Sequence, residues 1–231
     1  MAPAAAELAE RLGLRFADLG LLSQALVHSS YTNERPKAGE PNERLEFLGD
    51  AVISLIVSEV LFERHPGEDE GSLTTRRSAV VSAPALASMA ERLDLGSYLL
   101  LGQGAGQAGE RNRQSVLAGV FEAVCGAIYL EFGLPETRRW LLNVAAPELD
   151  ADRSLEALKP AKSVLQELAY ARSGKAPRYD VISQQGPPHA RHSQVEVSIG
   201  GERLGRGEGR NRREAETAAA VQALALLEVG K

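Results

Sequence analysis

Up to about residue 150 the apolar positions repeat as helices do. Leu21, Leu22, Ala25 and Leu26 form one run. Leu45, Leu48, Val52, Leu55, Ile56 and Leu61 form a second, and Val116, Leu117, Val120, Phe121, Val124 and Ile128 a third. Breaks fall where helices should stop, at His65-Pro66-Gly67 after the second run and Gly133-Leu134-Pro135 after the third. A polar, glycine-rich stretch from Gly102 to Gly109 reads as a loop. The pattern changes after the segment Pro147 to Leu158. Residues 161–171 keep helical spacing through Val164, Leu165 and Leu168, whereas Tyr179 to Ile182 reads as a strand. Val195, Val197 and Ile199 alternate with polar residues, as a half-buried strand does, and Gly200-Gly201 marks a hairpin turn. A third strand near Arg203 to Gly207 is weakly signalled, and Ala215 to Leu227 is an Ala/Leu helix. The expectation is an all-α domain over 1–150, a linker over 151–158, and a small α+β domain, ordered α-β-β-β-α, over 159–231.

The chain has 231 residues, 44 % hydrophobic and 25 % charged, an ordinary soluble composition. No uninterrupted apolar run approaches the roughly 20 residues of a membrane helix. The first ten residues include Glu7 and Glu10 and no basic residue, unlike a secretory signal. The single cysteine, Cys125, excludes an intramolecular disulfide and a cysteine-built zinc site. A cytoplasmic protein with no membrane partner is expected. Net charge is −5, but unevenly spread. Residues 159–231 hold 12 Lys/Arg against 8 Asp/Glu, and residues 1–158 hold 14 against 23. A basic C-terminal part suits phosphates and an acidic N-terminal part suits metal ions, although chance and solubility alone would also produce such a split.

The most informative stretch is Asn42-Glu43-Arg44-Leu45-Glu46-Phe47-Leu48-Gly49-Asp50-Ala51-Val52. On a helix Glu46 and Asp50, four apart, share a face, and Ser54 and Ser58 continue that polar stripe. Like charges at this spacing repel by roughly 0.2–0.5 kcal/mol even when exposed, and more between apolar neighbours. Hard divalent cations take such oxygen ligands, completed by water and substrate phosphate. Glu122, on the third apolar run between Phe121 and Ala123, is placed to join them from a second direction. The same spacing also fits a buried salt-bridge network with Arg44, Arg76 or Arg77.

The whole string from Asn42 to Val52 resembles the signature of the ribonuclease III family, and the resemblance covers nearly the entire chain. Leu21 to Tyr31 is similar to the family's first helix. Asp69-Glu70-Gly71-Ser72-Leu73 and Arg76 to Val81 match its next segment, and Phe121-Glu122-Ala123 with Gly126 to Leu130 its second acidic helix. The resemblance implies a helical nuclease domain in which Glu46, Asp50 and Glu122 are catalytic carboxylates holding Mg²⁺, with Mn²⁺ a plausible substitute. It implies hydrolysis of double-stranded RNA by a metal-activated water, with no protein nucleophile and no small-molecule substrate. A homodimer would cut opposite strands and leave short 3′ overhangs and 5′-phosphates, in the processing of ribosomal RNA precursors, messenger RNA and other structured RNAs. Phe47 matches an aromatic at the family's dimer interface, and Glu43 and Glu70 fall at acidic positions nearer the dimer and the RNA. One position departs. The family usually has Asp three residues before the catalytic Glu, and this chain has Gly119. The alternative is therefore a double-stranded RNA-binding protein with weak or no cleavage.

The C-terminal part resembles a double-stranded RNA-binding domain. Lys162 to Leu168, with Gln166 and Glu167, is similar to the first helix that touches the minor groove. Gly186-Pro187-Pro188-His189 is similar to the loop that enters the next minor groove, implying RNA contacts from Pro187 and His189. Gly207 to Glu216 is similar to the start of the last helix, which spans the phosphates. Independently of any family, Asn211 is a good N-cap, and Arg210, Arg212 and Arg213 add positive charge at the helix end that favours anions. These arginines also suit a solvated turn paired with Glu214 and Glu216. Asn211, Arg212 and Arg213 are the candidate phosphate-binding residues. Ser193 stands where the family has an aromatic, and His192 reads as a surface residue.

Other candidates are slight. His28, His65, His189 and His192 form no metal-ligand spacing. His28 beside Ser29 and Ser30 offers no nucleophile pair if all three lie on one helix, because adjacent helical residues diverge. Gly102-Gln103-Gly104-Ala105-Gly106 lacks the preceding strand and the Gly-Lys-Ser/Thr of a phosphate loop.

Overall fold

The computed structural model describes residues 2–151, 154–186 and 192–229. It divides into two compact units, Met1–Arg153 and Ser154–Lys231. In chain order the first holds α1 (Ala2–Leu12), α2 (Gly20–Ala25), α3 (Ser29–Glu34), α4 (Glu43–Arg64), α5 (Glu70–Val80), α6 (Ala83–Arg92), α7 (Leu95–Tyr98), α8 (Gln103–Gln107), a 3₁₀ turn at Glu110–Asn112, α9 (Gln114–Val144) and α10 (Ala146–Leu149). The second holds α11 (Leu155–Leu158), α12 (Ala161–Ser173), β1 (Arg178–Gln185), β2 (His192–Ile199), β3 (Glu202–Gly209) and α13 (Arg212–Val229). A mostly helical domain followed by three antiparallel strands with flanking helices is the expected fold class. The weakly signalled third strand forms in full.

Helices α4 and α9 make the centre of the first unit. Ile53, Ile56 and Val57 of α4, and Val120, Phe121, Val124 and Ile128 of α9, are buried together. Burying side chains of this size stabilises by about 1.5–3 kcal/mol each. The expected break at Gly133 is a kink within α9: its φ is 74°, Pro135 follows it, and the chain then resumes as helix to Val144. The turn-back stacks Trp140 on Phe121 at 5.8 Å between ring centroids. By mean hydropathy one stretch of α9 is long and apolar enough to cross a membrane, although Glu122 and Glu131 interrupt its apolar run. Most of that stretch is buried inside the domain, as befits a central core helix.

Two readings need correction. The glycine-rich stretch expected as a loop contains α8, and the 3₁₀ turn follows it directly. Glu34 holds it in place by accepting from Gln103 N at 2.9 Å and Gly104 N at 3.4 Å, a tertiary cap that no local pattern reveals. His28 is not on a helix with Ser29 and Ser30 but is the N-cap of α3. Its Nδ1 accepts from Ser30 N at 3.2 Å and lies 2.8 Å from Ser30 Oγ, which in turn accepts from Gly102 N at 3.0 Å. The pair is a structural brace between α3 and the start of α8.

In the second unit the sheet order is β1-β2-β3. Gly200 and Gly201, both at positive φ (63° and 97°), turn β2 into β3 as a two-residue hairpin loop demands. One face of β3 lies almost on the backbone of α13. A Cβ on Gly207 would meet Ala219 N at 2.1 Å, and one on Gly205 would meet Ala219 O at 2.5 Å. Opposite them Ala215, Ala219 and Ala223 are fully buried. Small residues on both sides thus set the helix-to-sheet distance.

Candidate active site and RNA-binding surface

The crossing of α4 and α9 is made backbone to backbone. A Cβ at Gly49 would sit 1.8 Å from Glu122 O, and one at Gly126 would sit 2.4 Å from Leu45 O. No side chain larger than hydrogen fits either place. Glu46 and Asp50 lie beside Gly49 on α4, and Glu122 lies one turn before Gly126 on α9, so the contact brings all three carboxylates within electrostatic reach of one another. Asn42 fixes the start of α4. It is buried, its N–H donates to Val27 O at 2.8 Å, and its Nδ2 donates to Ala25 O at 3.2 Å.

The electrostatics follow from that crowding. Burial first, then the charges of Glu46 and Asp50, push the Glu122 carboxyl up to about 7. Glu46 is also raised, by burial and by Glu43 and Asp50, with His28 acting in the opposite sense. The arginines that might have neutralised the cluster are engaged elsewhere. Arg44 pairs with Glu40 at 3.7 Å, Arg76 with Glu68 at 2.7 Å, and Arg77 donates to Ser58 Oγ at 3.0 Å. Among the described residues no salt bridge joins any of them to Glu46, Asp50 or Glu122. Nor do three acidic or other metal-ligating side chains close around a common point there. The three carboxylates feel one another's charge without converging on one point. An all-oxygen, net-negative donor set with Glu122 held partly protonated is chemically suited to a hard divalent cation that keeps several waters.

Gly119 bears directly on this arrangement. It is buried, and the carboxylate of Glu46 lies against it. Glu43 is exposed. Glu70, also exposed, accepts from Thr74 Oγ1 at 3.2 Å and lines a cavity of about 650 Å³ with Leu55, Phe62, Leu73 and Arg77. Beside that cavity α4 leaves an apolar face uncovered, with Phe47 81 %, Leu55 56 % and Phe62 71 % exposed.

In the second unit Gln166 is exposed on α12, and Glu167 accepts from Lys159 Nζ at 2.7 Å. Asn211 caps α13: its Oδ1 accepts from Glu214 N at 2.9 Å, while Glu214 accepts from Arg210 N at 3.0 Å. Arg212 pairs with Glu216 at 2.7 Å and Arg210 with Glu214 at 3.4 Å, so two of the three arginines do meet the acidic residues of their own helix. Arg213 is exposed. His192 pairs with Glu208 on the outer sheet face at 3.0 Å, and Ser193 is buried with Gln184 Nε2 3.4 Å from its hydroxyl. Pro187 and His189 lie outside the described residues. The spacing glycines Gly49 and Gly126 were not singled out from the sequence; their only signal is glycine inside an otherwise apolar helical run, where it costs about 1 kcal/mol.

Comparison with known proteins agrees with this architecture. Residues 18–149 match the family model described as ribonuclease-III-like, and residues 161–227 match the double-stranded RNA binding motif. The chain is 44 % identical to ribonuclease 3 of Bacillus velezensis over 224 residues, covering 96 % of this chain and 89 % of that protein. It is 44 % identical to ribonuclease 3 of Roseiflexus sp. (strain RS-1) over 229 residues, covering 97 % and 96 %. Its fold overlays a solved nuclease domain of ribonuclease III from Campylobacter jejuni with a TM-score of 0.57 at 36 % identity, covering 62 % of this chain and 96 % of that one. That structure is described as showing flexibility in a region involved in dimer formation. A helical nuclease unit joined to a duplex-RNA-binding unit is a class of RNA-cutting enzyme. The chain belongs to the ribonuclease III family.

Proposed function

We infer that this chain is an endoribonuclease of double-stranded RNA, with Glu46, Asp50 and Glu122 as its catalytic, metal-holding carboxylates. The observation that carries the reading is the Gly49–Gly126 crossing, which brings three carboxylates close enough to raise the Glu122 carboxyl, with no arginine or lysine salt-bridged to them among the described residues. When bound, a divalent cation such as Mg²⁺, or Mn²⁺ in its place, supplies Lewis-acid polarisation of the phosphodiester and an acidified water for attack. Glu46, Asp50 and Glu122 hold that charge in place, and the apolar shell of α9 behind Glu122 keeps bulk water from the buried side. This mechanism needs no nucleophile from the protein. His28 and Ser30 brace each other and the backbone.

Gln166 and Glu167 on α12, Pro187 and His189, and Asn211, Arg212 and Arg213 at the start of α13 are assigned to the RNA. Such a set reads the A-form helix by shape, with two minor-groove contacts flanking a phosphate clamp. The exposed stripe of Phe47, Leu55 and Phe62 is assigned to a two-fold dimer, since self-complementary pairing is the commonest way to cover such a face. A nuclease domain over 1–150 and an RNA-binding domain over 159–231, separated by a linker over 151–158, fit these roles. A cytoplasmic site of action, in the maturation of structured RNAs, suits a chain whose one cysteine is a buried thiol. A binding protein without cleavage is not favoured, because Gly119 leaves all three carboxylates facing.

The direct test is cleavage of a long duplex RNA in Mg²⁺ by this protein and by Glu122→Ala. The parent is expected to cut to short duplexes and the variant to bind without cutting. A parent that binds the duplex but leaves it whole would overturn the assignment.

A further inference from the structure

Two helices of the second unit meet at one carboxylate. Glu216, in the second turn of α13, accepts from Lys162 Nζ in the first turn of α12, and from Arg212 Nε one turn back on its own helix at 2.7 Å. Its side chain is only 12 % exposed. Lys162 also lies over the ring of Tyr179 from β1, 4.8 Å from the centroid, and the Tyr179 hydroxyl is buried without a hydrogen-bond partner among the described residues. Burial would raise the Glu216 carboxyl, but its hydrogen bonds from Lys162 and Arg212 outweigh this and hold it below the ordinary value. Charge-assisted bonds of this kind are about twice as strong as neutral ones.

We propose that Glu216 is a positioning residue for duplex RNA: without touching RNA, it pins the start of α12 to the start of α13 and so sets the spacing of the two helical contact segments. The inference rests on the RNA-binding role assigned above to α12 and α13. Its physical basis is that the two helix starts are held differently. β3 seats the first turn of α13, where a Cβ on Gly209 would meet Ala215 N at 2.6 Å and one on Gly207 would meet Ala215 O at 2.2 Å. Helix α12 enters the small core through Leu165, with the small Ala161 packed against it from the first turn, and the Lys162–Glu216 bond ties that first turn to α13. A duplex is rigid, so two segments that must reach different grooves bind tightly only if their separation is set beforehand.

Simple electrostatics makes the opposite prediction, which gives the test its sign. Removing a negative charge beside arginines should tighten RNA binding. Positioning predicts that it loosens. Binding of a duplex RNA to the full chain, without divalent metal and across a range of salt, is compared for parent, Glu216→Gln, Lys162→Met and the double variant, alongside thermal unfolding. The expected result is about tenfold weaker binding for Glu216→Gln at unchanged salt slope, the equivalent of one charge-assisted hydrogen bond. In Mg²⁺, KM should rise with kcat unchanged. The double variant should be no weaker than the worse single one, because both break one link. Equal or tighter binding by Glu216→Gln, or additive losses in the double variant, overturns the proposal. Should Glu216→Gln fail to fold, Lys162→Met, which leaves Glu216 its bond to Arg212, decides in the same way: a raised KM at constant kcat supports the proposal, and an unchanged KM overturns it. Arg213→Ala separates the two levels of inference. If it too leaves binding unchanged, the RNA-contact role of α13 is wrong; if it weakens binding while Glu216→Gln does not, only the positioning role is.

Discussion

The carboxylate of Glu46 rests on Gly119: a Cβ there would stand 2.9 Å from Glu46 Oε2 and 3.1 Å from its Cδ. The position where the resemblance leads one to expect Asp thus lies directly under one of the three carboxylates. Because the obstructing atoms end a flexible side chain, alanine is accommodated by moving Glu46. Gly119→Ala is therefore expected to gain up to about 1 kcal/mol of stability from helix propensity, while cleavage falls about tenfold or more as Glu46 is displaced. Thermal unfolding and single-turnover cleavage on the same samples check both halves. Undiminished cleavage would show that the seat of Glu46 on Gly119 has no catalytic consequence. Gly119→Asp adds a fourth negative charge to the same spot. It should lower the melting temperature without metal and recover more of it than the parent does when Mg²⁺ is added.

Glu122 supplies a pH dependence of defined sign. In the fold its carboxyl is pushed up to about 7 from an ordinary 4.5, so the folded state keeps a proton that the unfolded chain has already lost. The stability this contributes is complete below about 4.5 and is lost as pH rises through about 7. Metal-free protein should melt at a higher temperature at pH 6 than at pH 8. Glu122→Gln should remove that difference, raise the pH 8 value by about 2–4 °C, and abolish cleavage. If parent and variant show the same pH profile by calorimetry, Glu122 is not the strained group.

The α4–α9 contact leaves no room for a methyl. Gly49→Ala forces a carbon to within 1.8 Å of Glu122 O, and because that oxygen is backbone the helices themselves must part. A loss of about 3 kcal/mol or more is expected, enough to consume much of a domain's margin. Circular dichroism melts of Gly49→Ala and Gly126→Ala, set against the harmless control Gly67→Ala, test it. A variant that melts with the parent would mean the crossing can widen at no cost.

Phe47 is 81 % exposed on the uncovered face of α4. Phe47→Asp is expected to leave the monomer folded, since nothing in the core rests on this ring, and to weaken self-association by about 2 kcal/mol or more. Sedimentation across a range of concentrations reads this directly. Duplex RNA binding by the second unit should persist while double-strand cutting falls. A variant that sediments as the parent does would remove Phe47 from the interface.

The sequence by itself determined three helical runs of the first unit and the first two strands of the second, because each signal is local. Apolar residues at helical spacing mark α4 and the first part of α9, and Gly133-Leu134-Pro135 places the kink. Val195, Val197 and Ile199 mark β2, and Gly200-Gly201 its turn. It also marked Glu46 and Asp50 as neighbours, since four residues on a helix place two side chains on one face. What only the tertiary structure decided is everything that depends on how closely elements approach. Gly49 and Gly126 read as poor helix residues until the backbones of α4 and α9 are seen to touch through them. Gly119 read as a missing ligand until Glu46 was found lying on it. The glycine-rich stretch read as a loop because its cap, Glu34, lies 69 residues away in sequence from Gln103. Glu216 read as a partner for nearby arginines, and its bond to Lys162 spans 54 residues. Periodicity is written in neighbours, whereas distance between helices is written in the absence of a carbon atom, and a sequence shows that absence only as one more glycine.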